Sequence, residues 1–192
     1  WVLKEVLSLA EDGPRQLDLS VATSGEFFLV GSVPEGGSDE GLFHSRDGFA
    51  TLFRFDQGGA ARMVQKLEVS TNPMPLNFGF NVALADGIAL VGSHPQSVGD
   101  GGPPLQTVYV FEEQPDSTWV HTDSLTLPSE RPNVLQRYGL AVSEGQIFIG
   151  NPGSSFQGEM EWGAVAIFGR GENGAWTLTQ TVGPYPSSVG LP

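Results

Sequence analysis

The chain of 192 residues contains no cysteine. Disulfide bonds, thiolate metal sites and cysteine nucleophiles are therefore excluded within it. Basic residues are few, since nine Lys and Arg stand against 22 Asp and Glu for a formal net charge of −13. The nine form no cluster, so neither nucleic acid nor an anionic membrane surface is an expected partner. We interpret the acidity as a source of solubility and self-repulsion rather than as a means of attracting cations.

Long apolar runs and amphipathic helical patterns are also missing. No run approaches the roughly 20 apolar residues that span a bilayer, so no membrane insertion is expected in this segment. With 26 Gly, 14 Pro and 39% apolar residues, the chain is rich in turns and still able to bury a core. This combination predicts an all-β fold.

Residues 78–111 contain the pattern around which the chain is organised. The continuous apolar run at 88–91 predicts a strand that is covered on both faces. Ala85-Asp86-Gly87 predicts a tight hairpin turn, because Asp and Gly tolerate a positive φ. Two further strands are predicted from the β-branched and aromatic residues at 107–111 and from residues 119–125.

This unit occurs three times along the chain. Gly31, Gly92 and Gly150 each end the second strand of a copy, at separations of 61 and 58 residues (92 − 31 and 150 − 92). Trp119 and Trp176 begin fourth strands and are 57 residues apart (176 − 119). Self-similarity at one period predicts a repeat architecture. The recurrence of the tryptophans favours packing between repeats over stacking on sugar.

Three short motifs recur within the copies. They are Phe78-Gly79, residues 90–95 and residues 108–111 in copy two, and Tyr138-Gly139, residues 149–152 and residues 165–168 in copy three. With these motifs the chain resembles the FG-GAP repeat of integrin-α-like β-propellers, especially the short bacterial form. Copy one departs from the pattern, because Asp18-Leu19 stands in place of the Phe-Gly pair. The resemblance covers nearly the whole chain and implies four-stranded blades arranged radially around a central channel.

On this pattern we predict three four-stranded antiparallel blades and one orphan N-terminal strand. Residues 1–9 are predicted as the fourth strand of a preceding blade. The blades are predicted at 17–69, 76–127 and 136–182, with a linker or tail at 183–192. Propellers mostly have four to eight blades, so three blades and one strand do not close a ring. We expect the chain to be part of a larger propeller, whose missing blades come from the same chain or from copies of itself.

The integrin-type repeat carries a calcium loop between its first two strands. The corresponding connections here are Thr23-Ser24-Gly25-Glu26, Ala85-Asp86-Gly87 and Ser143-Glu144-Gly145. They are too short, and carry too few oxygens, for the six to eight ligands that calcium takes. No metal site and no cofactor are therefore predicted.

The long connections between the second and third strands differ most in sequence, and they are the predicted binding face. Trp162 lies where the third connection ends and has no equivalent in the other copies, so it is the best candidate for a ligand-contacting aromatic residue. The other candidates are the acidic residues of these connections, Asp39, Glu40, Asp47, Asp100, Glu159 and Glu161. Solvated loop charge is the alternative interpretation of these acids.

No catalytic residue is predicted. The histidines are His44, His94 and His121, and neither an HExxH nor a GxSxG motif occurs. A Ser-His-Asp arrangement around His94 and Asp100 is therefore not favoured. Glu112-Glu113 precedes a hairpin turn, so we interpret this pair as part of an exposed turn rather than as the carboxylate pair of a glycosidase.

These patterns predict a non-enzymatic β-propeller segment that acts as a protein- or glycan-binding or structural module. Expected partners are other protein chains or surface glycans, and the resemblance implies an exported, extracellular or cell-surface assembly. Two alternatives remain open. The segment is the propeller part of a larger secreted hydrolase or lyase, or it is a calcium-dependent adhesion module.

Overall fold

The computed structural model describes residues 17–34, 48–70, 77–93, 105–128, 138–152 and 163–183. These residues form twelve β-strands and no helix, which confirms the all-β prediction. No helix within the described ranges is therefore long and apolar enough to cross a membrane.

The strands form three four-stranded antiparallel sheets, each with its strands in chain order. The first sheet contains β1 (Leu17–Ser24), β2 (Phe27–Pro34), β3 (Phe49–Phe55) and β4 (Ala61–Leu67). The second contains β5 (Asn81–Ala85), β6 (Ile88–Gly92), β7 (Leu105–Glu113) and β8 (Trp119–Pro128). The third contains β9 (Leu140–Ser143), β10 (Gln146–Asn151), β11 (Ala164–Arg170) and β12 (Trp176–Val182).

Tight turns join the first two strands of each sheet. Between β5 and β6, Asp86 and Gly87 have φ angles of 53° and 73°. Between β9 and β10, Glu144 and Gly145 have φ angles of 51° and 70°. Two successive positive φ angles match the twist of a two-residue hairpin, so the turn predicted from Asp-Gly is confirmed. These turns lie at one end of the strands, which we call the turn edge. The opposite end of the strands, where β2, β6 and β10 end, we call the loop edge.

The strand register repeats from sheet to sheet. Each glycine that marks a repeat pairs with an apolar residue on the third strand, and that residue pairs with an apolar residue on the fourth. The rows are Gly31–Ala50–Leu67, Gly92–Val108–Leu125 and Gly150–Val165–Val182. Each third strand also has one register shift against its fourth strand at the corresponding place, at Leu52/Phe53, Val110/Phe111 and Ile167/Phe168. These rows therefore show which residues of the three sheets occupy equivalent positions.

Two apolar cores lie between successive sheets. The first joins Leu29 and Leu52 of the first sheet to Val91 of the second. The second joins Leu90 of the second sheet to Ile149 of the third. Leu90 and Val91 are neighbours on β6, and side chains alternate along a strand, so the second sheet is buried on both faces. The continuous apolar run predicted a strand of this kind, and the burial confirms it.

The Phe-Gly turn brings successive sheets together at a glycine. Gly79 has a φ of 97°, and its N–H donates to the carbonyl oxygen of Gly92 over 3.0 Å. Its own carbonyl oxygen lies where a side chain at Gly31 would begin. At the next junction, a side chain at Gly92 would meet the hydroxyl group of Tyr138. The two glycines therefore permit close contact between neighbouring sheets.

Hydrogen bonds also join the fourth strands of successive sheets. The Gln65 amide donates to the carbonyl oxygen of Trp119 over 2.7 Å and accepts from the Trp119 backbone N–H over 3.0 Å. The Asp123 carboxylate accepts from the Trp176 backbone N–H over 3.2 Å. Both tryptophans are buried in the cores between sheets, which confirms their packing role.

We expect Gly92→Ala to lower the free energy of unfolding by about 1–3 kcal/mol, because the new methyl group overlaps the Tyr138 side chain. Tyr138→Phe removes the overlapping hydroxyl group, so the double variant should cost less than the two single variants added together. Urea unfolding followed by tryptophan fluorescence measures all three. Gly139→Ala is the control and should change little, since its added carbon meets open space. Strict additivity would contradict the described contact.

Candidate functional site

The predicted ligand-binding residues lie outside the described residues. They are Trp162, Asp39, Glu40, Asp47, Asp100, Glu159 and Glu161. His44 and His94 also lie outside the described ranges. Their role in binding or catalysis therefore stays a prediction. The structure does describe the strand ends from which the long connections leave, and it describes the turn edge.

At the loop edge, Ser93 holds the start of the second long connection. Its backbone N–H and its hydroxyl group both donate to the carbonyl oxygen of Thr107, over 3.0 and 3.3 Å. Its carbonyl oxygen accepts from the Tyr138 hydroxyl group over 2.8 Å. The Asn81 side-chain amide donates to the carbonyl oxygen of Tyr138. This connection therefore starts from a junction between the second and third sheets.

Two tyrosines serve this junction in their protonated form. Burial raises the pKa of the Tyr138 phenol, and nearby Tyr109 raises it further against the lowering effect of its hydrogen bond to Ser93. Burial also raises the pKa of Tyr109, although hydrogen bonds with Ser93 and Thr107 oppose the shift. Both phenols keep their protons at neutral pH. Tyr138 positions the connection as a hydrogen-bond donor to Ser93, and neither phenol acts as a base.

At the turn edge, an open cleft of about 450 Å³ lies between the second and third sheets. The Asp86-Gly87 turn, the end of β7 and the segment that follows β7 form most of its wall. Glu112, Glu113 and Arg170 supply its charges. The cleft therefore brings together charged groups from two sheets.

Glu112 connects the second sheet to the third through this cleft. Its carboxylate forms an ion pair with Arg170 and accepts from the Thr122 hydroxyl group over 2.9 Å and from the Trp176 indole N–H over 3.3 Å. The Arg170 guanidinium also lies 4.6 Å from the centre of the Trp176 ring and donates to the carbonyl oxygen of Gly174. The cluster therefore fastens β11 and β12 to β7.

Glu112 is ionised at neutral pH. Burial alone would raise its pKa, but hydrogen bonds from Arg170, Thr122 and Trp176, together with the Arg170 charge, lower it. The interpretation of Glu112-Glu113 as part of an exposed turn is wrong, because both residues lie in β7. Glu113 is exposed at the end of that strand, whereas Glu112 is partly buried. The sequence contained no signal for this, because the three donors come from β8, β11 and β12.

A second polar contact that sequence reasoning missed joins His121 and Ser124. The His121 Nε2 atom lies 3.0 Å from the Ser124 hydroxyl oxygen. The extra residue at the register shift of β8 lets side chains three positions apart share a face. The imidazole ring packs against Tyr109 and Phe111, at 5.7 and 5.5 Å between ring centres.

Among the described residues, this pair has no third group of the kind that orients the histidine in a hydrolytic triad. The neighbouring carboxylate, Asp123, accepts from the Ser124 and Trp176 backbone N–H groups instead. We therefore assign the contact between His121 and Ser124 to packing along β8. In addition, within the described ranges no three His, Cys, Asp or Glu side chains form a group that could hold a metal ion.

No protein-family model matches the chain, and no curated protein matches it either. The resemblance to the FG-GAP repeat therefore stays a prediction that rests on the motifs.

We expect Glu112→Gln to lower the free energy of unfolding at neutral pH by about 1–3 kcal/mol, because a charged hydrogen-bond acceptor is lost. A lowered pKa stabilises the fold above the ordinary value of 4.5 and ceases to do so as the pH falls through the folded value. The difference from the unsubstituted chain should therefore shrink in acid.

Urea unfolding at neutral pH and at about pH 3 measures this difference. Glu113→Gln is the matched control, because Glu113 is exposed. A Glu112→Gln difference that is the same at both pH values would contradict the assignment of the stabilisation to the ionised carboxylate.

Proposed function

We propose that the three sheets are successive blades of a β-propeller, and that the chain is a non-enzymatic binding or structural module. The observation that carries the proposal is the repeated packing. The second sheet packs on the first as the third packs on the second, with equivalent strands in equivalent places. A repeat array uses the same interface between each pair of neighbouring repeats in this way.

The order of the strands within the array supports a radial arrangement. The first strands β1, β5 and β9 contact one another in succession, while the fourth strands β4 and β8 contact each other much less. Sheets arranged around an axis have this property, because their inner strands are closest together. The same pattern makes β1, β5 and β9 the strands that face the proposed channel.

The ligand in this proposal is a protein chain or a glycan in an exported or cell-surface assembly. Three long connections leave the loop edge of three adjacent sheets, and in repeat folds insertions on one face often form the binding face. These connections carry Trp162 and the six acidic candidates. An indole face stacks on a sugar ring, which makes glycans the first class to test.

The chemistry of the described residues supports binding over catalysis. The buried phenols of Tyr109 and Tyr138 keep their protons. The Glu112 carboxylate is held by three donors, and Asp123 by two backbone N–H groups. These groups hold strands together, so none of them is free to transfer a proton to a substrate.

We expect Trp162→Ala to weaken binding of the chain to a panel of immobilised glycans by about tenfold or more, as loss of an aromatic anchor does. The urea unfolding midpoint should stay unchanged. Glu144→Gln, in the turn edge, is the control and should bind as the unsubstituted chain does. Equal effects of both substitutions would contradict a binding face at the loop edge.

The same assay separates the two alternative functions. Release of sugar from the panel would favour a hydrolase or lyase over a binding module. Loss of binding on addition of a calcium chelator would favour calcium-dependent adhesion. Under our proposal, the glycans remain intact and the chelator has no effect.

A further inference from the structure

The first sheet has a buried face that the other two sheets do not cover. On the second and third sheets, the equivalent face is the one that packs on the preceding sheet. The register aligns its residues, which are Ile147, Ile149, Ala166 and Phe168 on the third sheet, Ala89, Val91, Tyr109 and Phe111 on the second, and Phe28, Val30, Thr51 and Phe53 on the first. We call the set on the first sheet the front face. Its four residues are only 5–7% exposed, yet the cluster that they form contains no residue of the other two sheets.

In the two described junctions, the fourth strand of one sheet brings an apolar pair to this face of the next sheet. Leu67 and Val69 belong to the core between the first and second sheets, which also contains Phe111. Leu125 and Leu127 belong to the core between the second and third sheets. The members of each pair are two positions apart, so extended chain places them on the same side. A preceding fourth strand is therefore part of what buries this face.

The same segments carry a hydrogen-bond acceptor two positions before the apolar pair. Gln65 accepts from the backbone N–H of Trp119 over 3.0 Å, and Asp123 accepts from that of Trp176 over 3.2 Å. Each tryptophan begins the fourth strand of the following sheet. In the first sheet, Ala61 begins the fourth strand, and the register makes its backbone N–H the equivalent donor.

Residues 1–9 lie outside the described ranges, and their sequence has the same pattern. They read WVLKEVLSL, whereas residues 61–69 read ARMVQKLEV and residues 119–127 read WVHTDSLTL. Glu5 thus stands at the position of the acceptor, and Leu7 and Leu9 stand at the positions of the apolar pair. Residues 10–16 then lead into β1. These seven residues reach about 23 Å when extended, which exceeds the roughly 15 Å between the outermost strands of a four-stranded sheet.

We propose that residues 1–9 bind the front face of the first sheet in the place of a preceding fourth strand. Leu7 and Leu9 pack against the front face, and the Glu5 carboxylate accepts from the backbone N–H of Ala61. The proposal rests on the repeated packing proposed above. In it, the chain itself supplies the segment that buries this end of the array.

The exposure of the first sheet favours a single strand as the occupant over a whole sheet. Val21 of β1 pairs directly with Val30 of β2, so their side chains lie on the same side of the sheet. Val30 is 5% exposed, whereas Val21 is 60% exposed. Leu19, two positions before Val21, is 50% exposed. A single strand near β4 leaves β1 uncovered in this way, whereas a whole sheet would cover it.

Leu7→Ala should lower the urea unfolding midpoint by about 1 M, because the contact of a buried leucine is lost. Val6→Ala is the matched control and should leave the midpoint unchanged. Val6 stands at the position of Lys66 and Ser124, which are both exposed. Equal midpoints for the two variants would overturn the proposal.

A double-variant cycle tests where Leu7 makes its contact. The effects of Leu7→Ala and Phe53→Leu on unfolding should not add, since these residues touch in the proposed arrangement. Leu7→Ala and Leu52→Val should add, because Leu52 lies in the core on the opposite face. Additive effects for Leu7 and Phe53 would assign the burial of the front face to another segment. Coupling that appears only at high protein concentration would assign the segment to a second copy and would also contradict the proposal.

Hydrogen exchange of the Ala61 amide, followed by NMR, tests the proposed hydrogen bond. Glu5→Ala should speed this exchange by about tenfold, because the acceptor is removed. Glu5→Gln should keep the amide protected, since Gln65 performs the same role for Trp119. Lys4→Ala is the control and should not change the rate. An unchanged rate in Glu5→Ala would count against the assignment.

Failure of this inference differs from failure of the proposed packing between sheets. If Gly92→Ala and Tyr138→Phe are coupled while Leu7→Ala and Val6→Ala have equal effects, residues 1–9 do not bind the front face and the packing stands. If that coupling is missing as well, the equivalence of positions on which this proposal rests is lost with it.

Discussion

Contact between neighbouring sheets depends on a glycine at the point where their backbones come closest. Gly31 leaves room for the carbonyl oxygen of Gly79, and Gly92 leaves room for the ring of Tyr138. A larger residue at either place would push the first strand of the next sheet outward. The apolar faces on both sides would then lose contact, because packed interiors tolerate little extra volume. The burial of the two cores therefore follows from this local geometry.

Apolar faces alone do not fix how far one sheet slides along the next. Discrete hydrogen bonds supply that register, near the fourth strands through Gln65 and Asp123 and near the first strands through Tyr138. A satisfied polar contact in a partly buried place specifies one arrangement, because sliding leaves its groups unpaired. Since Tyr138 also holds Ser93, the same contact fixes where the second long connection begins. The proposed binding face therefore starts from a rigid base.

The sequence pattern predicted the features that local chemistry determines. The Asp86-Gly87 turn follows from the tolerance of these residues for a positive φ, and burial of both faces of β6 follows from its continuous apolar run. The repeat spacing identified Gly92 as a marker of the second strand, yet it did not show that Tyr138 fills the space beside it. That contact depends on how two sheets pack, and so a pattern within one repeat does not contain it.

The sequence pattern also did not predict the contacts between side chains and a backbone distant in the chain. Gln65 and Trp119 are 54 residues apart, and their hydrogen bonds have no local signature. Glu112 looked like a turn residue because it precedes a predicted hairpin turn, whereas its partners come from other strands. The seven candidates in the long connections remain predictions, since they lie outside the described residues.

The two junctions between sheets use different chemistry, and so acid affects them differently. A neutral amide, Gln65, closes the junction between the first and second sheets, and the indole N–H of Trp119 is buried there without an acceptor. At the next junction, the indole N–H of Trp176 reaches the charged Glu112. Acid removes that charge and leaves the amide unchanged. On acidification the third sheet should therefore separate before the first two come apart, which gives disassembly of the array a direction along the chain.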